Sequence, residues 1–359
     1  MNKFYPLTLA SVEQLTEQSI AVTFDVSSDL QQVFTFKQGQ HLTLKLMINQ
    51  QEVRRSYSIC NGIADQQLKI AIKQIEGGCF STFANREFIA GMTVDVMPPQ
   101  GHFYTELDAN HVKNYLFVAV GSGITPIISH IQSILTNEPK ATLSLIYGNK
   151  TAETAMFHQQ LLDIEQANLQ RFKRLNCYSR EKNQLQVFHG RVTAQKIIDL
   201  DALGIIDINE FSDVFLCGPE SMVRDALTTF KSWKFSDDQL HYELFHVEEK
   251  QKDFENETNQ ATQEHSQESC QVSIKANGAT KSFTLAMTGE SILDAGLNEN
   301  LDLPFACKVG VCASCKAKVI NGKVVMDDNH SLSDDELDEG YILSCQSHPA
   351  SAKVDIVFD

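Results

Sequence analysis

Four cysteines in the last part of the chain constrain the fold most strongly. Three follow each other with the spacing C-x4-C-x2-C and a fourth comes later, at Cys307, Cys312, Cys315 and Cys345. This is the ligand spacing of plant-type [2Fe–2S] clusters, in which one tight loop supplies three thiolates and a later segment the fourth. Gly310, Ala313 and Ser314 are small, as a loop folded closely round an inorganic core requires. The sequence therefore predicts a [2Fe–2S] cluster.

Two other readings of these cysteines are a structural zinc site and a pair of disulfides. Structural zinc usually takes two C-x2-C pairs, and this segment has only one. Five further cysteines are scattered without paired spacing, at Cys60, Cys79, Cys177, Cys217 and Cys270. Unpaired thiols are typical of a reducing compartment, so we expect a cytoplasmic protein.

Length and charge limit the remaining possibilities. A chain of 359 residues is expected to form two or three domains. A net charge of −16 argues against binding to nucleic acid or to an anionic membrane. Residues 1–21 lack the basic start and apolar run of a secretory signal, and no segment approaches the ~20 apolar residues of a spanning helix.

The chain divides by pattern into three modules. Residues 1–107 alternate short apolar runs with turns, which predicts an antiparallel β-barrel or β-sandwich. Residues 111–245 alternate strands with helices, which predicts a parallel α/β sheet. Residues 246–269 are polar with an excess of acidic over basic residues, which predicts an acidic linker. Residues 270–359 hold two hairpin-like strands, a helix and the cysteine loop, which predicts a small α+β domain.

The first module contains two signals for a phosphate-bearing aromatic cofactor. Arg55, Tyr57 and Ser58 end a strand, where an Arg can hold a phosphate, a Tyr can stack and a Ser can hydrogen-bond. Glu76-Gly-Gly-Cys-Phe-Ser81 leads into a helix, and glycines before a helix N-terminus favour anion binding. Either signal alone also fits a cross-strand Arg or an ordinary Gly-Gly turn.

The second module contains a glycine loop after its first strand. Gly121-x-Gly123-x-x-Pro126 permits a tight turn and the close approach of a pyrophosphate. It departs from the common dinucleotide fingerprint in its last position, and Asn149 stands at the end of the next strand, where an acidic residue is usual.

Taken together, these motifs resemble the ferredoxin–NADP reductase superfamily, with its R-x-Y-S, G-x-x-S, G-x-G-x-x-P and C-G-P-x-x-M signatures. The resemblance implies an FAD site at Arg55, Tyr57, Ser58, Gly78, Cys79, Phe80 and Ser81. It implies a nicotinamide site at Gly121, Gly123, Thr125, Pro126, Cys217, Gly218 and Met222. Within this superfamily Cys217 is expected beside the nicotinamide ring and Thr125 near its junction with the flavin.

Two short segments extend the same resemblance. Ser179-Arg180 matches a pair that binds the ribose phosphate in NADPH-dependent relatives, which favours NADPH over NADH, although a solvated charged turn is also possible. In Tyr242-Glu-Leu-Phe245, the resemblance implies that Phe245 covers the flavin and that Glu243 lies near the hydride-transfer site, although both residues also fit simply the last strand and its exit. We therefore expect Ser58, Cys217 and Glu243 at the reacting centre.

The order of the three modules predicts an NAD(P)H-dependent oxidoreductase. A nicotinamide gives up two electrons together, a plant-type cluster accepts one, and a flavin can exchange with both. Electrons are expected to run from NADPH through FAD and a β-grasp [2Fe–2S] domain to a partner protein. The module order with a C-terminal ferredoxin domain, together with the segments Tyr147-Gly-Asn-Lys150 and Gly340-Tyr-Ile-Leu-Ser-Cys345, most resembles reductases of the phenylacetyl-CoA epoxidase type. Related reductases serve ring-hydroxylating oxygenases, acyl desaturases and hybrid-cluster proteins, and a non-enzymatic redox sensor is a further alternative.

Overall fold

A computed structural model of the chain describes residues 3–182, 185–245, 269–276 and 278–358. These residues form two compact units. The larger is built mainly from Tyr5–Val53 and Tyr57–His246, and the smaller mainly from the described residues after 268. In the described part of the chain, no helix has the length and apolar character needed to cross a bilayer.

The larger unit begins with an antiparallel sheet in the order β4-β3-β6-β1-β2-β5. Its elements are β1 (Tyr5–Thr16), β2 (Ser19–Asp25), β3 (His41–Ile48), β4 (Gln51–Ser58), β5 (Leu68–Lys73), α1 (Cys79–Glu87) and β6 (Thr93–Val96). In β1 and β2, Val12 lies opposite Val22 and Leu9 opposite Phe24. Val22, Leu9 and Phe24 are buried in one apolar core, so the alternating pattern folds as expected for an antiparallel flavin-type domain.

The second part of this unit is a parallel sheet in the order β11-β10-β7-β8-β9. Its elements are β7 (Asn114–Val120), α2 (Ile124–Asn137), β8 (Thr142–Asn149), α3 (His158–Ala167), β9 (Phe172–Tyr178), α4 (Ala194–Ala202), β10 (Asp213–Pro219), α5 (Glu220–Ser232) and β11 (Leu240–Phe245). Residues 115–119 of β7 are wholly buried, as expected for a central strand covered on both faces. The strand order reverses between β7 and β10, and in open α/β sheets this is where the ligand crevice lies, at the carboxyl ends of the strands.

The smaller unit contains a mixed sheet in the order β13-β12-β18-β14-β16. Its elements are β12 (Ser269–Ala276), β13 (Ala279–Ala286), α6 (Ile292–Asn298), β14 (Lys316–Asn321), β15 (Val324–Met326), α7 (Asp334–Asp338), β16 (Tyr341–Leu343), β17 (Ser347–Pro349) and β18 (Lys353–Val357). β12 and β18 run parallel, whereas the other pairs of this sheet are antiparallel. The Ser291 side chain caps α6 by accepting the Asp294 N–H, which fixes where the helix begins.

Two details concern the sequence-based boundaries. The sequence pattern predicts a helix around Met156 to Ala167. The helix begins instead at His158, because Phe157 adopts a left-handed conformation with φ 57° and ends the preceding turn. The acidic linker predicted over residues 246–269 lies outside the described residues except for Ser269, which is the first residue of β12.

Candidate functional sites

The glycine loop lies at the crevice between β7 and β10. A Cβ atom on Gly123 would stand 2.2 Å from the Cys217 carbonyl oxygen, so no side chain fits there. A Cβ atom on Gly218 would stand 2.9 Å from Cε of Met222 and 3.0 Å from Cβ of Val120. Both glycines therefore permit the ends of the two strands to approach closely, which brings the two nicotinamide motifs together.

The start of helix α2 completes the glycine loop. The Thr125 hydroxyl is buried and donates to the Ser122 carbonyl oxygen over 3.0 Å, closing the loop on itself. Pro126 lies in the first turn of α2, where its missing N–H leaves no helical hydrogen bond unmade. The loop and the first turn of the helix therefore form one compact structure.

Three residues that sequence reasoning placed at the reacting centre meet in the structure. Cys217 of β10 pairs in register with Glu243 of β11. The Ser58 hydroxyl lies 3.2 Å from Oε2 of Glu243, and Nδ1 of His41 lies 4.0 Å from Oε1 of the same carboxylate. Burial, together with the negative charge of Glu243, raises the pKa of the Cys217 thiol well above its ordinary value. The arrangement places an uncharged thiol beside a carboxylate and a hydroxyl.

Phe245 is less closely tied to this cluster. It is the last residue of β11, pairs in register with Pro219, and packs with part of its surface against the core of the parallel sheet. The structure thus places Phe245 at the crevice edge of the sheet, two residues beyond Glu243.

The residues expected to bind the flavin lie around β4 and the start of α1. The ring centroids of Tyr57 and Phe80 are 5.6 Å apart, so these two predicted flavin-binding residues are in contact. The Ser81 hydroxyl accepts the Ile75 N–H over 3.1 Å and thereby holds the turn before α1. Gly78 stands at the N-cap and Cys79 is exposed. The free N–H groups at the start of α1 suit a phosphate oxygen.

Ser179 and Arg180 lie away from the crevice, just beyond the outer strand β9. Their N–H groups donate to the carbonyl oxygens of Asn149 and Lys150 over 3.0 and 2.9 Å. Arg180 is exposed, so its guanidinium can reach a ligand lying over the ends of β8 and β9.

Sequence reasoning missed Lys73, the last residue of β5. Its Nζ atom lies 3.6 Å from the position of a Cβ built on Gly121, beside the glycine loop. Burial, and then the positive charge of Lys150, lower the pKa of Lys73. Within the described residues no carboxylate pairs with Lys73, which makes the place attractive to an anion. In the sequence Lys73 is marked only as the polar end of an apolar strand. Its nearness to Gly121 depends on the packing of two domains, which no local pattern shows.

The four predicted cluster ligands gather in the smaller unit. Sγ of Cys315 lies 3.2 Å from Sγ of Cys345, and Cys307 is hydrogen-bonded to Cys312. The thiols thus form two pairs, as two irons with two protein ligands each require. The pairing of the four thiols is what a two-iron cluster needs from the protein.

The backbone of the cysteine loop is shaped for the same purpose. Lys308, Gly310 and Ala313 have φ angles of 58°, 76° and 51°. These left-handed turns direct N–H groups inward, and the Val309 N–H lies 3.4 Å from Sγ of Cys307. A Cβ on Gly310 would be 3.1 Å from the Asp328 carbonyl oxygen, so glycine fits both the conformation and the space. The loop can therefore surround a sulfur-bridged core with donors.

Family models match each module. A FAD-binding oxidoreductase domain matches residues 6–104, an NAD-binding oxidoreductase domain residues 117–228, and a 2Fe-2S iron-sulfur cluster binding domain residues 274–350. These matches support the FAD, nicotinamide and [2Fe–2S] expectations.

Whole-chain relatives agree. The chain is 40% identical over 359 residues to a component of the 1,2-phenylacetyl-CoA epoxidase of Escherichia coli K12, covering 100% of this chain and 99% of that protein. It is 25% identical over 355 residues to the ferredoxin reductase component of 3-ketosteroid-9-alpha-monooxygenase of Rhodococcus rhodochrous, covering 98% and 96%.

Among solved structures, phthalate dioxygenase reductase matches with a TM-score of 0.58 at 22% identity, covering 99% of this chain and 98% of that chain. At that identity the likeness concerns the fold, and it confirms the predicted succession of an antiparallel flavin domain, a parallel α/β domain and a ferredoxin domain. The chain therefore belongs to the ferredoxin–NADP reductase family, as an NAD(P)H-dependent FAD oxidoreductase that carries a C-terminal [2Fe–2S] ferredoxin domain.

Proposed function

We propose that this chain is the reductase component of a multicomponent oxygenase of the phenylacetyl-CoA epoxidase type. The observation that carries the proposal is the 40% identity to the Escherichia coli epoxidase component, which covers both chains almost completely. The ketosteroid monooxygenase reductase matches over a similar length but with only 25% identity. An oxygenase is therefore the acceptor class, and an epoxidase is the better supported member of it.

The cluster of Ser58, Cys217 and Glu243 would form the hydride-transfer site. Bound FAD supplies the ability to take a hydride and release electrons singly. The raised pKa of Cys217 keeps its thiol neutral, so it can pack beside a nicotinamide ring without adding charge. Glu243 accepts a 3.2 Å hydrogen bond from the Ser58 hydroxyl and so fixes the orientation of that side chain. Phe245, two residues further on, would shield the flavin from water.

The flavin itself would be held by residues of the first domain. Arg55 and the N–H groups of the first turn of α1, at Cys79, Phe80 and Ser81, suit its phosphates, and Gly78 precedes them as the N-cap. The contact between the Tyr57 and Phe80 rings gives an aromatic surface on which an isoalloxazine can stack. This assigns residues 1–107 to flavin, 111–245 to the nicotinamide nucleotide and 270–359 to the cluster, with 246–269 joining the last two.

Two basic sites would bind different parts of the pyridine nucleotide. Lys73 lies beside the glycine loop, where the pyrophosphate is expected, and Lys150 is near enough for its charge to lower the pKa of Lys73, so an anion bound there would relieve their repulsion. Ser179 and Arg180 lie beyond β9, where the adenosine ribose is expected. A guanidinium and a hydroxyl suit a ribose phosphate, so we propose NADPH as the preferred donor and NADH as a weaker one.

Electrons would leave through the paired thiolates of Cys307, Cys312, Cys315 and Cys345. The acidic segment 327–339 follows the cluster loop in sequence and would attract a basic surface on the acceptor. The lack of paired spacing among the other cysteines supports a cytoplasmic location.

The order of electron flow can be tested with Cys312→Ser. Reduction of cytochrome c by NADPH should be abolished, because that one-electron acceptor draws from the cluster. Reduction of ferricyanide, which can draw from the flavin, should stay within about two-fold of the unsubstituted protein. A matched control is Cys270→Ser, which removes a buried thiol of the same domain that is not a cluster ligand. Equal loss of both activities in Cys312→Ser would contradict the proposed order.

The acceptor can be tested by reconstitution with purified oxygenase components. Substrate oxidation coupled to NADPH should be at least ~10-fold faster with the oxygenase components of a phenylacetyl-CoA epoxidase than with a ketosteroid-hydroxylating oxygenase. The reverse order would reassign the chain to a ring-hydroxylating system. NADPH oxidation without coupling to either oxygenase, although cytochrome c is reduced, would refute an oxygenase of these two types as acceptor.

A further inference from the structure

Helix α2 carries a set of polar side chains that the site described above does not use. They are Ser129, His130, Gln132 and Ser133, and the side chains of Ser129, His130 and Ser133 are completely buried. A buried polar group is costly unless it is hydrogen-bonded, so the partners of these side chains show what the helix is fastened to. For these three buried side chains, the partners outside α2 belong to the flavin domain or to the connection that leads from it.

The first anchor lies just beyond strand β4. The Ser129 hydroxyl donates to the Asn61 carbonyl oxygen over 2.7 Å, and the Ile63 N–H donates to Oγ of Ser133 over 3.1 Å. Ser129 and Ser133 are one turn apart and so share a face of the helix. Because Ser58 ends β4, this anchor is only three residues from the hydroxyl that contacts Glu243.

The anchor segment is itself rigid. The Asn61 amide donates to the Gln67 carbonyl oxygen over 2.9 Å, and its oxygen accepts the Lys69 N–H over 3.0 Å. The loop is thereby bound to the start of β5. A displacement of α2 would therefore also displace the sheet that carries the proposed flavin-binding residues.

The second anchor is His130, which lies on a different side of α2. Its Nε2 atom is 2.8 Å from the Phe103 carbonyl oxygen. A carbonyl can only accept, so Nε2 carries the proton and donates. Residue 103 lies in the connection between β6 and β7, which Gln38 and Gln40 bind to the barrel through Thr105 and Gly101.

Gly39 shows how closely the second anchor is built. Its φ is 83°, and a Cβ atom there would stand 1.9 Å from the Phe103 carbonyl oxygen and 2.5 Å from Nε2 of His130. Only glycine leaves room for the hydrogen bond between His130 and Phe103. The barrel, the connection between β6 and β7, and α2 are therefore tightly packed against one another at this point.

We propose that α2 acts as a bracket, that is, a rigid link between the glycine loop and the region of strand β4. Ser129, His130 and Ser133 are then positioning residues for hydride transfer. A single anchor would leave a hinge, whereas two anchors on different sides of the helix fix its orientation. The glycine loop leads directly into α2, and the anchors lie roughly one and a half to two and a half turns beyond the first residue of the helix. The bracket thus sets the distance between the nicotinamide loop and strand β4, and a misplacement of about 1 Å is enough to slow such a reaction about 100-fold. This inference concerns the step from nicotinamide to flavin and does not depend on the acceptor proposed above.

The first test uses the flavin-loaded double variant Ser129→Ala/Ser133→Ala. Amide hydrogen exchange in residues 61–63 should accelerate at least ~10-fold, because the Ile63 N–H loses its acceptor. In anaerobic stopped-flow experiments the limiting rate of flavin reduction by NADPH should fall about 10- to 100-fold, with less than ~3-fold change in the Kd for NADPH. The control is Thr136→Ala, since the Thr136 hydroxyl bonds within α2, to the Gln132 carbonyl oxygen at 2.9 Å. It should match the unsubstituted protein within about two-fold in all three measurements.

A second pair of variants tests the other anchor and serves if the double variant does not fold. His130→Leu removes the donor, whereas His130→Gln keeps an N–H donor with similar reach. His130→Leu should show the same slow flavin reduction, and His130→Gln should restore most of the rate. The proposal is overturned if flavin reduction stays within about two-fold while exchange at 61–63 has accelerated. It is also overturned if exchange does not change, if Kd rises as much as the rate falls, or if His130→Gln is as slow as His130→Leu.

Discussion

Acidification from pH 7 to pH 5 is expected to cost the nicotinamide domain about 2 kcal/mol through His130 alone. Burial lowers the pKa of His130 from its ordinary 6.5 to about 3, so the folded protein keeps the ring neutral. Between these two values the unfolded chain binds a proton that the folded chain does not, and stability is lost as the pH falls. A pH of 5 lies about 1.5 pH units below the pKa of the unfolded ring, and each unit corresponds to about 1.36 kcal/mol.

The matched comparison is between the unsubstituted protein and His130→Gln, which keeps a donor but cannot titrate. Urea unfolding is followed at pH 7 and pH 5 by the fluorescence of Trp233, the single tryptophan. Trp233 packs against Phe230 of α5 with ring centroids 5.7 Å apart, so it reports on the same domain as His130. The pH-dependent loss of unfolding free energy should be about 2 kcal/mol smaller in the variant. An equal loss in both proteins would refute the reasoning, because it would mean that His130 already titrates normally in the fold.

Two further predictions concern the nucleotide site. Gly123→Ala should reduce NADPH-dependent flavin reduction by at least ~100-fold, because its Cβ would lie 2.2 Å from the Cys217 carbonyl oxygen and force the two strand ends apart. Gly204→Ala is the control for general destabilisation, since it strains a left-handed residue with φ 66° but its Cβ meets no atom within 4 Å, and equal effects of the two changes would contradict the packing argument. Lys73→Met should raise the Kd for NADPH and for NADH by similar factors of about 10, whereas Arg180→Ala should weaken NADPH alone. Fluorescence titration with both nucleotides distinguishes these outcomes. If Lys73→Met weakened the binding of NADPH but not of NADH, the lysine would instead belong to the site of the ribose phosphate.

Much of the architecture could be predicted because it depends on local patterns. The apolar alternation in β1 and β2 specifies which face of each strand is buried, so an antiparallel sheet follows. The continuous apolar run in β7 requires cover on both faces, so a parallel sheet with helices follows. The exact start of α3 could not be predicted. Phe157 adopts a left-handed conformation, which sequence patterns normally indicate by a glycine, and this position is not a glycine.

The candidate sites divide along the same line. Cys307, Cys312 and Cys315 lie in one loop, so their spacing by itself limits what they can bind. The contact between Ser58 and Glu243 joins residues 185 positions apart, and it exists only because β11 lies in register with β10 beside the barrel. The place of Lys73 beside Gly121 has the same origin, and no local pattern marks it.

The sequence by itself thus determined the three modules, their order and the cofactor that each one suits, because strand periodicity, glycine loops and cysteine spacing act over a few neighbouring residues. Only the tertiary structure decided how the glycine loop is held against the flavin strand. That relation depends on buried hydrogen bonds from Ser129, His130 and Ser133 to backbone groups of another domain. A backbone acceptor can belong to any residue type, so the partner of such a bond leaves no trace in the sequence and appears only when the chain has folded.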